Sequence, residues 1–363
     1  MEPIPYGRQT LDEGDIAAVV EVLRSDWLTC GPAVERFEAA LCEVTGARFA
    51  VAMSSGTAAL HGALWAARVG EGADVTTSPL SFHASASCAL YVGARPGFVD
   101  IDPKTLNLDP GAVGPCDALV PVHYAGLPVD LTQLPHRPPV VVEDAAHALG
   151  AFTPDGPVGN CARSDMTCFS FHPVKAVTTA EGGAVTTNSE EYAERLRRFR
   201  SHGSVARPER GGWYYEIEEL GQNFRISDVQ CALGTSQLGK LERFVTRRNE
   251  LADRYRELLA SVPVELPPDA PVGSRHAYHL FAVRVPERRA VYDRMRDAGI
   301  GVQVHYVPIY RHPVYARRGL RPGMFPETEK AYSGLLSLPM FPALTDAQQD
   351  RVVAELQRAV AAP

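Results

Sequence analysis

Val140-Val141-Val142-Glu143-Asp144-Ala145-Ala146-His147-Ala148 opens the stretch that decides the fold, and Thr167-Cys168-Phe169-Ser170-Phe171-His172-Pro173-Val174-Lys175 closes it. The valine run ending on carboxylates reads as a buried strand of a parallel sheet, since a strand covered on both faces is apolar throughout. Thr167 to Phe171 reads as a second short strand. Ligands of open α/β sheets bind just beyond the carboxyl ends of the strands, where Asp144 falls. Taken singly, Asp144 is a helix cap or a surface ion pair, and Lys175 is a solvated charge. Their pairing becomes informative only if a phosphate site and a flat ring lie upstream.

Both do. Phe49 to Met53 reads as a strand that runs into Ser54-Ser55-Gly56-Thr57-Ala58-Ala59-Leu60, a turn that starts a helix. Free backbone N–H groups and the positive end of the helix dipole make such a start an anion site, the alternative being a plain helix cap. Asp74 to Thr77 is another strand, leading into Pro79-Leu80-Ser81-Phe82. Phe82 either stacks on a flat ligand or fills the core. A phosphate, a ring, a carboxylate and a lysine together suit pyridoxal phosphate (PLP). Lysine forms a Schiff base with its aldehyde, and an aspartate keeps its ring nitrogen protonated so that the ring takes up electrons.

With 363 residues the chain can bury a large core, and two domains are expected. The net charge of -7 argues against a nucleic-acid partner, which asks for clustered Lys and Arg. None of the cysteines forms a Cys-x-x-Cys pair, and Cys161 and Cys168 lack zinc spacing, so reduced thiols and no metal are expected. Reduced thiols fit the cytoplasm. Met1-Glu2-Pro3-Ile4 does not read as a signal peptide, and no stretch reads as a membrane span.

Asp12–Ser25 and Val34–Thr45 are expected helices, separated by the loop Ser25-Asp26-Trp27-Leu28-Thr29-Cys30-Gly31-Pro32. Trp27 either meets a substrate or packs under the next helix. Gly97–Ile101 and Ala118–Val122 add short strands, an alternation that signals a parallel sheet wrapped by helices. Gly182-Gly183 turns the chain into a strand expected to return antiparallel at the sheet edge. Glu190–Arg200, Val229–Leu238 (capped by Ser227 or Asp228) and the long linker Leu241–Leu259 are expected helices. Beyond them, strands at His276–Val285 and Gly301–Tyr306 flank a helix at Glu287–Ala298, and Thr345 caps a last helix. The loop Val304 to Tyr310 either closes over the site or forms an interface.

In order along the chain, these motifs resemble the DegT/DnrJ/StrS-type sugar aminotransferases, which are fold-type I PLP enzymes. The resemblance rests on Trp27-Leu28-Thr29-Cys30-Gly31-Pro32, Ser55-Gly56-Thr57-Ala58-Ala59-Leu60 and Glu143-Asp144-Ala145-Ala146-His147. It continues through Ser170-Phe171-His172-Pro173-Val174-Lys175, Glu181-Gly182-Gly183-Ala184 and Gly221-Gln222-Asn223-Phe224-Arg225. It implies an α/β fold with a large PLP-binding domain over residues 1–245, which includes an N-terminal substrate-contacting segment. That domain would hold a mostly parallel seven-stranded sheet between helices, followed by a smaller C-terminal α+β domain over residues 246–363.

The resemblance also implies roles. Lys175 would hold PLP as a covalent aldimine, Asp144 would pair with the ring nitrogen, His147 would lie near the phenolic oxygen, and Phe82 would stack on the ring. Ser55, Gly56, Thr57 and Ser170 would hold the phosphate region, with Asn223 reaching in from the other subunit of a homodimer. Some relatives remove a hydroxyl and carry histidine in place of the lysine; Lys175 favours amino transfer.

Pro5-Tyr6-Gly7-Arg8-Gln9, the 25–29 loop and Ser170-Phe171-His172-Pro173-Val174-Lys175 are most similar to aminotransferases of the pseudaminic-acid type. These aminate C4 of a UDP-linked 4-keto-6-deoxy-N-acetylhexosamine, with glutamate as donor. Tyr6, Asp26, Trp27, Leu28, Thr29, Ser55, His172, His305 and Tyr306 would contact the nucleotide-linked keto sugar. Two departures leave the sugar open: Cys30 replaces a second threonine, and Phe82-His83 replaces a commoner Phe-Val-Ala-Thr. A dTDP-keto sugar or keto cyclitol is the alternative substrate, and a non-catalytic PLP-binding regulator the alternative role. No Gly-x-Gly-x-x-Gly follows an early strand, which argues against a nicotinamide dehydrogenase.

Overall fold

The computed structural model describes residues 2–362; Met1 and Pro363, the outermost residues of the two expected domains, lie outside it. The main sheet has strands β1 (Phe49–Met53), β2 (Asp74–Thr77), β3 (Arg95–Phe98), β4 (Ala118–Val120), β5 (Val140–Asp144), β6 (Met166–Ser170) and β7 (Gly183–Thr187). Across the sheet they run in the order β1-β7-β6-β5-β4-β2-β3. Every pair from β3 across to β6 is parallel, and β7 is antiparallel to both its neighbours. The expectation that β7 would lie at the edge is therefore corrected: it is buried between β1 and β6. All its residues are buried, as a Gly-Ala-Val-Thr-Thr strand with no large polar side chain allows.

Alternate side chains of one strand feed two cores. Ala50 and Ala52 face one with Phe37, Leu41 and Phe169, while Val51 and Met53 face the other with Leu60, Val142 and Leu196. Helices α1 (Glu13–Leu23) and α2 (Pro32–Thr45) precede β1, and α3 (Gly56–Ala66) follows it at once. Helix α4 (Ala84–Tyr91) follows β2, and α5 (Glu190–Phe199) follows β7. Asp12 and Asp15 form a capping box on α1. Ser227 caps α6 (Asp228–Leu238), whereas the Asp228 carboxylate accepts the amides of Gly31 and Ala33 at 2.8 and 2.9 Å and so fixes the start of α2.

Helix α7 (Leu241–Leu259) contains the boundary expected after residue 245 and serves two cores. Leu241, Phe244 and Val245 belong to the first, while Leu251, Tyr255 and Leu259 join a further core. That core gathers β8 (Phe281–Arg284), α8 (Arg288–Asp297), β9 (Leu335–Leu338) and a C-terminal helix, Asp346–Ala361, capped by Thr345. Between the two, Arg248 is buried and donates to the carbonyls of Tyr278 and Met340 at 3.1 and 3.0 Å; burial lowers its pKa to about 10.

Three expectations change here. The strand foreseen at His276–Val285 shortens to β8, because the Tyr278 amide turns back to donate to His276 Nδ1 at 2.8 Å. Gly301–Tyr306 forms one bridge, Gln303 to Ser337, on the edge of β9 that β8 leaves open. Ile4, grouped with the large domain on sequence, is buried in the C-terminal core and exchanges backbone bonds with Gly299 and Gly301. Among the described residues no helix is long and apolar enough to cross a membrane.

Candidate active site

β1, β5 and β6 end at the same edge of the sheet, and the turn from β1 into α3 meets the end of β6 there. Ser55 caps α3, its Oγ accepting the Ala58 amide at 3.1 Å. The amides of Gly56 and Thr57 have no partner among the described residues and border a cavity of about 350 Å³. A Cβ on Gly56 would come within 2.8 Å of Ser170 Cβ, and one on Gly183 would strike the Ser55 carbonyl. Glycine at these two points lets the helix start and the strand end approach closely enough to cradle an anion.

Asp144 ends β5 in the same cavity and is buried. Its Oδ2 accepts Ser85 Oγ at 2.6 Å, and Ser85 Oγ lies 2.7 Å from Ser81 Oγ. The Ala146 amide donates to Oδ1 at 3.2 Å. These donors fix the orientation of the carboxylate.

Lys175 keeps part of its surface open to the cavity, and its amine makes no hydrogen bond or ion pair with any described residue. Burial pulls its pKa down to about 8, against the opposing pull of the Asp144 charge. An amine near that value is partly uncharged at physiological pH and can act as nucleophile or base.

Histidines surround this amine. His147 Nε2 lies 3.0 Å from Tyr306 Oη, and its buried Nδ1 has no partner. Burial, and then the Lys175 charge, drive His147 well below the ordinary histidine pKa. The His279 ring centre lies 4.3 Å from that of His147, and burial lowers its pKa too. His305 shares a hydrogen bond of 2.9 Å with Ser337 Oγ, and burial brings its pKa to about 4. Tyr124 Oη donates to the His305 carbonyl at 2.5 Å, which ties this loop to the segment that follows β4.

One cavity thus brings together Tyr6, Ser55, Gly56, Thr57, Phe82, Asp144, His147, Ser170, His172, Lys175, His305 and Tyr306. Asp26, Trp27, Leu28, Thr29 and Asn223 do not line it; all are exposed, Trp27 by 55% and Leu28 by 52%. The 26–29 loop packs beside α6, where the Leu28 carbonyl accepts the Asp228 amide. Sequence reasoning missed Ser81, Ser85 and His279. Ser85 carried a faint signal, standing three residues after Phe82 in the first turn of α4.

An acid, an unpaired amine and an anion cradle around one cavity match the ring nitrogen, aldehyde and phosphate of PLP, and on this sheet they define a PLP enzyme. The model of the DegT/DnrJ/EryC1/StrS aminotransferase family matches residues 9–357, and the chain belongs to that family. It is 37% identical to the spore coat polysaccharide biosynthesis protein SpsC of Bacillus subtilis, over 96% of this chain and 95% of that one. Helicobacter pylori PseC, an aminotransferase involved in the biosynthesis of pseudoaminic acid, superposes with a TM-score of 0.90 at 30% identity, over 99% of each chain. Spr1654 of Streptococcus pneumoniae, assigned as a sugar aminotransferase and solved in its PLP form, superposes with a TM-score of 0.91 at 28% identity. The match covers 99% of this chain and 98% of Spr1654. This protein is accordingly a PLP-dependent aminotransferase of the sugar-aminotransferase type.

Proposed function

We propose that the enzyme moves an amino group from L-glutamate to C4 of a UDP-linked 4-keto-6-deoxy-N-acetylhexosamine. The observation that carries the reading is an unpaired Lys175 amine of lowered pKa in one cavity with Asp144 and the start of α3. The likeness to PseC, named for pseudoaminic acid biosynthesis, supports the choice of sugar.

Bound in this cavity, PLP supplies an aldehyde for amines and a ring that takes up electrons. Gly56, Thr57, Ser55 and Ser170 would hold its phosphate, Phe82 would cover its ring, and Asp144 would keep its nitrogen protonated, with Ser85 holding the Asp144 carboxylate in place. His147, kept neutral by burial, would stand near the phenolic oxygen. Lys175 Nζ would hold the cofactor and, when free of it, would be the base placed to take a proton from the donor Cα; positioned transfer of this kind is worth about 10²–10⁴-fold in rate. Tyr6, His172, His305 and Tyr306 orient the sugar.

Two copies share their sites in this reading. Asn223 reaches the cofactor phosphate of the partner, and the 26–29 loop meets the partner's substrate, which accounts for their exposed positions here. The unpaired thiols of the cysteines fit a cytoplasmic enzyme. The test is incubation of the PLP-loaded protein with glutamate and a panel of UDP- and dTDP-4-keto sugars, with mass detection of amino sugars. A UDP-amino sugar from wild type, and none from Lys175→Ala, is expected. A Lys175→Ala protein that aminates at the wild-type rate would refute the assignment.

A further inference from the structure

An amino acid that gives up its nitrogen in this cavity must bring its Cα beside Lys175, and its α-carboxylate is bonded to that same carbon. The charge needs a hydrogen-bond donor there, yet the cavity is poor in cations. Among the described residues Lys175 is the one lysine that lines it and no arginine does, while Asp144 and Glu181 add negative charge. The amides at the start of α3 serve a phosphate group.

His279 lines the same cavity without a partner for its ring. It is 4% exposed, and neither ring nitrogen bonds to a described residue. Nδ1 is sealed inside the protein and Nε2 is not, so the open corner of the ring lies at Nε2, on the cavity side. Burial first, and then the charges of Lys175, His147, Arg248 and His305, drive its pKa well below the ordinary histidine value. The neutral imidazole therefore carries one proton. A sealed N–H without an acceptor is less tolerable than a bare lone pair, so the proton sits on Nε2 and faces the cavity.

The backbone fixes that direction. The Ala277 and Leu280 amides donate to the Gly126 and Ala125 carbonyls at 3.0 and 3.3 Å, which lays this segment along the turn after β4. Gly126 makes the approach possible, because a Cβ there would strike the His147 carbonyl and crowd Ala277. From behind, Arg248 donates to the carbonyls of Tyr278 and His279 at 3.1 and 3.4 Å. The ring is left to lie against His147, with 4.3 Å between their centres.

We propose that the Nε2–H of His279 binds the α-carboxylate of the amino donor beside Lys175. The proposal rests on the amino-acid donor of the preceding section. A neutral donor also suits the second substrate. A keto sugar brings a hydroxyl-bearing ring carbon to the same place, and one N–H donates equally to a hydroxyl or a carboxylate oxygen. A fixed guanidinium there would be left buried and unpaired whenever the sugar was bound.

The probe is α-methyl-L-glutamate, which carries the carboxylate but has no Cα proton to lose. It is titrated into the PLP-loaded enzyme and its binding followed by cofactor absorbance. His279→Phe keeps a ring and removes the donor, so the probe should bind about 10- to 100-fold more weakly, the loss expected for a hydrogen bond to a charged group. PLP affinity should match wild type. His279→Gln returns an amide N–H near the place of Nε2 and should recover most of the loss. His279→Asn, whose shorter amide ends near the place of Nδ1, should not. The contrast between Gln and Asn decides the matter alone if phenylalanine upsets cofactor binding.

Wild-type affinity for the probe in His279→Phe overturns the proposal, as does an Asn variant that binds it as well as the Gln variant. Wild type that converts no glutamate removes the donor reading on which the proposal stands. A wild type active with glutamate beside an unaffected His279→Phe counts against His279 alone.

Discussion

Replacing Lys175 with Met in the cofactor-free protein should make it more stable at neutral pH. The amine falls from its ordinary 10.5 to about 8 because burial disfavours its charge. At about 1.4 kcal/mol per pH unit, that corresponds to at most about 3 kcal/mol, with cavity solvent trimming the figure. Between these two values the unfolded chain binds the proton more readily than the folded one, so wild-type stability rises with pH across the window. The deficit relative to Met is complete below about pH 8 and gone above about 10.5. Urea unfolding of both proteins, stripped of PLP, at several pH values between 7 and 10.5 reads the difference directly. An advantage for Met of about 2–3 kcal/mol at pH 7 that shrinks as pH rises is expected. Equal stabilities at pH 7, or a gap that ignores pH, would refute the claim that Lys175 is held in a charge-hostile cavity.

Ser85→Ala removes a hydrogen bond to the Asp144 carboxylate, a contact worth about 1.5–3 kcal/mol, so kcat should fall by about tenfold or more while PLP still binds. An unchanged kcat would remove Ser85 from its supporting role. Gly56→Ala presses a methyl group against Ser170, so PLP affinity measured by absorbance titration should drop by about tenfold or more, overpacking costing about 1–3 kcal/mol. Arg248→Met strips the donors from buried carbonyls where α7 passes between the cores, and thermal unfolding should show a loss of about 3 kcal/mol or more. A melting temperature within a degree of wild type would contradict that. Tyr306→Phe leaves His147 Nε2 without its protein partner, and the bell-shaped pH profile of kcat should shift while KM for glutamate stays put.

The sheet was legible where burial forces a composition. Val141 and Val142 of β5 have water on neither side, and the sequence shows it. The helix starts were legible where capping chemistry is local, as at Asp12, Ser227 and Thr345. β7 was misplaced because its glycine pair marks a turn but does not say which gap the returning strand enters. The C-terminal strands were overextended because His276 turns its own backbone through a side-chain bond that no periodicity encodes. The site followed the same division. Asp144 and Lys175 stand out because each has a chemistry, whereas Ser85 looks like an ordinary first-turn serine until the fold brings it to the Asp144 carboxylate. Asn223 and the 26–29 loop could be ranked as site residues by resemblance, but their distance from the cavity of their own chain needed coordinates.

Borohydride reduction of the PLP-loaded protein, followed by protease digestion and mass spectrometry, tests the central claim most directly. Lys104, Lys175, Lys240 and Lys330 are the lysines of the chain, so the readout is unambiguous. A phosphopyridoxyl group on the peptide that contains Lys175, abolished when glutamate is added before the borohydride, is the predicted result. The same group on another lysine, or on none, would contradict it.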